Sequence, residues 1–212
     1  YIFLPHIMQL PVPNVPTFSR TCVFVQGEPY YLRTTFREEL ESSPTALLTP
    51  ILMLEQGYEQ AEQTMVDMAT TIGIEGESAR TAYRCACARQ REFEQALRER
   101  GRKALEELSR TPERWGIVLL GRPYNAFAPE ANMGVAHKVA SRGYVVVPHD
   151  MLPADRYPVD HKMFWAMGQK IMKAAHFVKE HDNLFGFYIT SFSCGPDSFL
   201  LGYFRSLMGA KP

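Results

Sequence analysis

Gly116-Ile117-Val118-Leu119-Leu120-Gly121 is a continuous apolar run with a glycine at each end. A run this short, with no polar alternation, predicts a strand buried on both faces, as in a parallel sheet covered by helices. The same period change recurs downstream. Residues 132–141 carry Val135, Val139 and Ala140 on one helical face and end at Gly143. Tyr144-Val145-Val146-Val147 predicts a second strand, stopped by Pro148. A helix is expected over 160–179, with Phe164, Met167, Ile171, Ala174, Ala175 and Val178 on one face. Gly186-Phe187-Tyr188-Ile189-Thr190 predicts a third strand, and 196–208 a helix with Pro196 in its first turn. Strand and helix thus alternate over 115–208, the order of a parallel sheet with right-handed crossovers. Ligands of such sheets lie beyond the carboxyl ends of the strands, which selects the loops 121–130, 148–158 and 191–198.

Upstream of this lobe the pattern is helical and then irregular. Ala79, Ala82, Tyr83, Ala86, Phe93, Leu97, Ala104, Leu105 and Leu108 form one long stripe that persists to Pro112. Arg91, Glu94, Arg98, Glu99, Arg102 and Glu106 fill the other face, and their alternating sign marks a solvated surface rather than a nucleic-acid patch. A shorter helix is expected over 58–71, and another over 29–40. Ile51-Leu52-Met53-Leu54 is either a buried strand or a helix start. Pro5, Pro11, Pro13 and Pro16 make the N-terminal stretch extended and turning. Within it, Thr21-Cys22-Val23-Phe24-Val25 is expected to form a short buried strand ending at Gly27. The expected division is an N-terminal α/β and helical segment over 1–113 and an α/β lobe over 114–212.

The chain of 212 residues is 46% hydrophobic and 22% charged, which places it among globular proteins and excludes disordered and collagen-like classes. Lys+Arg and Asp+Glu balance at 23 each, so no global field draws nucleic acid or an anionic membrane. No apolar run approaches the roughly 20 residues of a bilayer span. The chain opens on Tyr1 without a visible signal peptide, and stops just after a helical pattern ready to lead into another strand. It is expected to be a piece of a longer, soluble, cytoplasmic polypeptide.

Two loops carry candidate chemistry. Gly121-Arg122-Pro123-Tyr124-Asn125 leaves the first strand with a glycine for close backbone approach and an arginine fork suited to carboxylate or phosphate. The alternative is a structural turn in which Arg122 pairs with a nearby acid. Asn132 is expected to start the helix that follows. Ser191-Phe192-Ser193-Cys194-Gly195-Pro196-Asp197-Ser198 leaves the third strand and enters a helix, where a thiol has its pKa lowered and suits a nucleophile or a metal ligand. Cys22 stands in another strand-to-turn context, and both thiols are alternatively inert and buried. Cys85 and Cys87, two apart on a helix, point away from each other and are read as packing residues. His176 and His181 do not match the i,i+4 spacing of a zinc-binding H-E-x-x-H. G-x-S-x-G, G-x-x-x-x-G-K-[ST] and G-x-G-x-x-G are all absent, which argues against a common serine hydrolase, a P-loop NTPase and a simple dinucleotide dehydrogenase.

Thr-Cys-Val-Phe-Val-Gln-Gly-Glu-Pro-Tyr at 21–30, a long helix with Gln90, Phe93 and Gly101, then Gly-Arg-Pro-Tyr-Asn at 121–125 and Cys-Gly-Pro-Asp-Ser at 194–198 together resemble one family. It is the uncharacterised, dehydratase-like region of large CoA-substrate-specific enzyme activases. That region looks like the component D subunits of 2-hydroxyglutaryl-CoA dehydratase and the related subunits of benzoyl-CoA reductase. The resemblance implies Rossmann-like lobes, with a parallel sheet and flanking helices, carrying a 4Fe-4S cluster on cysteines. In the characterised relatives a partner ATPase injects one low-potential electron, and the reduced cluster passes it to a CoA thioester. By motif position, Cys22 and Cys194 are the implied metal ligands. Arg122, Tyr124, Asn125, Asp197 and Ser198 are the implied cofactor-binding residues. Three cysteines per cluster are usual in the catalytic subunits and two match here, and Cys22-Val23 stands where relatives often carry Cys-Pro. The implied function is an iron–sulfur module relaying an electron from an ATPase activator domain or subunit, beside a dehydratase-like partner. The chain alone is expected to lack dehydratase activity. The alternatives are a non-catalytic docking domain and a CoA-ester-binding module without redox chemistry.

Overall fold

The computed structural model describes residues 1–15, 18–191 and 194–211. The chain folds as two compact units, Tyr1–Val12 with Pro16–Glu92, and Pro13–Val15 with Phe93–Pro212.

In the first unit the chain runs β1 (Ile2–Phe3), β2 (His6–Ile7), α1 (Val23–Thr35), α2 (Arg37–Ser42), β3 (Leu47–Leu48), β4 (Ile51–Leu52) and α3 (Glu62–Thr71). The first part of the long helix α4 (Gly76–Arg110) follows. β1 pairs with β3 and β2 with β4, both parallel, in the register Ile2↔Leu47 and His6↔Ile51. Pro5 and Pro50 remove a backbone donor from each chain and divide what is otherwise one ladder: the amides of Leu4 and His6 donate to the carbonyls of Leu48 and Pro50. Leu52, Leu54 and Ala61 form a small core with Ile7, Leu10, Tyr58, Met65 and Tyr83 packed on it. The Tyr83 hydroxyl donates to the Tyr58 carbonyl at 2.6 Å, which ties α4 to the turn preceding α3. Arg84 and Arg80 both reach Glu62 and hold its carboxyl at about 2.

The expected strand over 21–25 is a helix. Cys22 caps α1 and Val23, Phe24 and Val25 form its first turn, with Gly27 and Pro29 inside it. A β-branched and aromatic run favours a strand by about 1 kcal/mol at most, and that preference holds for half-buried positions. Val23 and Phe24 are instead exposed, and the Thr21 amide already bonds the Met8 carbonyl at the end of β2. Of Ile51-Leu52-Met53-Leu54, the first two residues form a strand, β4.

The second unit contains the rest of α4, then β5 (Gly116–Leu120), α5 (Pro123–Ala126), α6 (Pro129–Asn132) and α7 (Val135–Ala140). β6 (Val145–Pro148), α8 (Ala166–Lys179), β7 (Leu184–Tyr188) and α9 (Gly195–Met208) complete it. The sheet is parallel, ordered β6-β5-β7, with Gly116 in register with both Val145 and Leu184. The α/β architecture, the flanking helices and the long helix are therefore as the sequence implies. The central apolar run is buried on both faces: Val118, Leu119 and Leu120 expose 1% or less. Leu108 from α4, Ile171, Ala174, Phe177 and Val178 from α8, and Met208 from α9 close over it. A side chain at Gly116 would meet Leu108 and Leu184 at 2.6 Å, which accounts for a glycine at the head of the strand.

Two local features differ from the pattern reading. The loop after β5 contains the short helices α5 and α6, each opened by a proline at its first position. Asn132 ends α6 instead of opening α7, although its Oδ1 accepts the amides of Gly134 and Val135 as a cap does. α8 begins at Ala166, because the Asp160 side chain accepts the Lys162 amide and draws the preceding residues into a turn.

Candidate functional site at the sheet's carboxyl edge

β6 is reached from β5 on one side, and β7 then returns to the other side. The carboxyl ends of β5 and β7 therefore flank a topological switch point, where open α/β sheets place their ligands. Side chains join the three loops that leave these strand ends. Arg122 Nε donates to Asp197 Oδ1 at 2.8 Å, linking the β5 loop to the first turn of α9, and both side chains are buried. His149 Nε2 donates to the Gly121 carbonyl at 2.9 Å, linking the β6 loop to the same point. Gly121 makes this convergence possible. Its φ of +144° lies in glycine's region, and a Cβ there would run into the Ile189 carbonyl.

Around the pair, the Arg122 guanidinium lies 5.6 Å from the centre of the exposed Tyr124 ring. Asn125 sits in α5, one turn on, with its amide bonded to the Arg122 carbonyl. Cys194 caps α9, and its Sγ accepts the Asp197 amide at 3.4 Å. The Ser198 hydroxyl donates to the Cys194 carbonyl at 3.0 Å. Arg122, Tyr124, Asn125, Asp197, Ser198 and Cys194 thus share one edge of the second unit. Arg122 does pair with an acid, as the structural alternative anticipated, but that acid is itself one of the expected site residues. Cys22 belongs to the first unit, where it caps α1 without a side-chain bond of its own. Phe192 and Ser193 lie outside the described residues.

Four residues of this edge escaped the sequence reading. Tyr188 and Thr190 stand two apart at the end of β7, and strand periodicity places them on one face. Burial, then the Asp197 carboxylate, push the Tyr188 hydroxyl well above the usual tyrosine range, so it stays protonated. Lys173 is almost fully buried and donates to the carbonyls of Asp155 and Tyr157 at 2.7 and 2.8 Å, pinning the β6 loop. His149 is fully buried, and burial lowers it to about 4. It is therefore neutral at pH 7, with its proton on Nε2 for the Gly121 carbonyl.

His149 makes the stability of this edge depend on pH. An unfolded histidine binds its proton near pH 6.5, whereas this one binds in the fold only near 4. Its contribution is complete above pH 6.5 and is lost as pH falls toward 4, by about 3 kcal/mol in total at ~1.4 kcal/mol per unit. Urea midpoints measured between pH 7 and pH 5 are expected to fall, and to fall less in His149→Gln.

Both motif cysteines are half-buried at helix N-termini. Cys87 packs in the interior of its unit and Cys85 is exposed. Among the described residues, no three His, Cys, Asp or Glu side chains gather to hold a metal. A thiolate is a donor that an iron–sulfur cluster accepts, but the described residues gather no ligand set for one.

A three-stranded parallel sheet with flanking helices, and with polar residues and a helix-capping thiol at its carboxyl edge, defines an α/β domain. The family model of the CoA enzyme activase uncharacterised domain matches residues 1–152, and the chain belongs to that family. No curated protein and no solved structure matches the chain. β7 and α9 lie beyond the matched residues. No helix among the described residues is long and apolar enough to cross a membrane.

Proposed function

We propose that the chain is a dehydratase-like module of a CoA enzyme activase. In this reading its sheet edge takes the thioester end of a CoA ester, and its thiols hold an iron–sulfur cluster fed by an ATP-driven activator. The observation that supports it most is the meeting of the buried Arg122–Asp197 pair with the Cys194-capped start of α9 at the switch point. A bound cluster would supply one-electron chemistry, with Cys194 as a protein ligand. Asp197 orients the Arg122 guanidinium. That charge and the first-turn amides of α9 together favour a thiolate at Cys194 and negative charge on a nearby acyl oxygen. The Ser198 bond to the Cys194 carbonyl holds the cap in place.

Anaerobic reconstitution with ferrous iron and sulfide is expected to give a brown chromophore that Cys194→Ser largely loses. A second reading, CoA-ester binding without redox chemistry, is favoured by the buried hydroxyl and amide groups of Tyr188, Thr190 and Asn125, which suit an organic ligand. Calorimetry showing acyl-CoA binding to protein that cannot be reconstituted supports that second reading over the first.

A further inference from the structure

A cleft of about 480 Å³, within the size range of small-molecule sites, opens in the first unit. Arg33 from the last turn of α1 and Arg37 from the first turn of α2 both line it. Hydrogen bonding continues across the break between these helices, the Phe36 amide bonding the Leu32 carbonyl and the Leu40 amide the Phe36 carbonyl. That continuity keeps the two arginines, one helical turn apart, on the same side. Neither forms an ion pair among the described residues, although Glu38, Glu39 and Glu41 share α2 with Arg37. The arginines of α4 in this unit behave differently: Arg80, Arg84, Arg89 and Arg91 are each paired with a glutamate.

The donors around the cleft select an anion. Each guanidinium presents a planar fork that two oxygens of a phosphate or carboxylate fill. Thr45 and Thr49, on either side of β3, add hydroxyls. Thr45 Oγ1 accepts from Ser43 Oγ at 2.8 Å, so its own proton is left to give, and the Thr49 hydroxyl has no hydrogen bond among the described residues. Thr34 adds no donor, because its proton goes to the Tyr30 carbonyl at 2.8 Å. Two cations and two hydroxyl donors match a phosphate monoester, which carries about −1.5 to −2 charge and three acceptor oxygens. The Glu41 carboxylate in the same lining accepts from a ligand hydroxyl and repels a second negative group. Leu40 and Leu47 give a short carbon body its apolar cover. We propose that this cleft binds a small hydroxylated phosphate monoester, its phosphate held by Arg33 and Arg37 and a hydroxyl by Glu41. Dicarboxylates and polyphosphates carry the second negative group that Glu41 opposes. The cleft lies wholly in the first unit, and its ligand is independent of the cluster and thioester proposed for the sheet edge.

The test is calorimetry of the full chain with glycerol 3-phosphate and, separately, with succinate and with pyrophosphate. Glycerol 3-phosphate is expected to bind wild type about tenfold more tightly than either of the others. Arg33→Gln and Arg37→Gln change exposed positions, and circular dichroism confirms that the variants fold. Each is expected to weaken glycerol 3-phosphate about tenfold, the equivalent of ~1.4 kcal/mol. Glu41→Gln is expected to keep that affinity within a few-fold and to tighten pyrophosphate about tenfold. No binding of glycerol 3-phosphate to wild type, or an affinity unchanged in either arginine variant, would overturn the site. Succinate bound as tightly as the ester would overturn the phosphate assignment, and pyrophosphate unaffected by Glu41→Gln would overturn the role of Glu41.

Discussion

Asp197→Ala is expected to destabilise the second unit by about 3–5 kcal/mol, the cost of removing one member of a buried ion pair. The expectation rests on burial. The Asp197 side chain exposes 0% and that of Arg122 9%, and Arg122 Nε meets Asp197 Oδ1 at 2.8 Å. Water cannot replace the lost carboxylate at that depth, so the guanidinium must either pull out of the sheet edge or stay desolvated. A loss of this size is a large share of the roughly 5–15 kcal/mol that holds a domain together. The double variant Arg122→Met/Asp197→Leu removes both charges at similar volume, and is expected to recover most of the stability. Urea midpoints for wild type, the single variant and the double variant check this. A single variant within about 0.5 kcal/mol of wild type, the range of ordinary surface changes, would show that the pair is solvated.

Gly101→Ala carries the second large effect, and local propensity and tertiary packing disagree on its sign. Inside a helix, alanine is better than glycine by about 1 kcal/mol. A Cβ on Gly101, however, would run into the backbone carbonyl of Met151, which no side-chain rotation can relieve. α4 lies against that carbonyl because position 101 has no side chain. Overpacking at the upper end of about 1–3 kcal/mol, expected against rigid backbone, outweighs the propensity gain, with a net loss of up to about 2 kcal/mol. Gly202 in α9 is the internal control, since a Cβ there would meet nothing within 4 Å. Gly202→Ala is expected to raise stability by about 0.5–1 kcal/mol. Thermal melts of the two variants should therefore shift in opposite directions.

The parallel sheet was legible because its signal is local: 116–121 is apolar at every position, and so buried on both faces. The three loops at its carboxyl edge followed from topology alone. Thr21-Cys22-Val23-Phe24-Val25 misled because composition does not report exposure, and Phe24 is 71% exposed on a helix. The Arg122–Asp197 bond was not legible, since 75 residues separate its ends and only the returning crossover brings them together. Tyr188 and Thr190 carried a weak signal, their spacing of two immediately before a candidate loop. His149 carried none, because a buried histidine donating to a strand-end carbonyl looks in sequence like any other histidine beside a proline.

The most direct test of the proposed electron-relay module is the iron and sulfide bound per chain after anaerobic reconstitution, compared between wild type, Cys194→Ser and Cys85→Ser. Wild type and Cys85→Ser are expected to bind both and to show the same paramagnetic signal on reduction, with Cys194→Ser losing most of it. Equal iron and identical spectra in Cys194→Ser, or no iron retained by any of the three, would contradict the account.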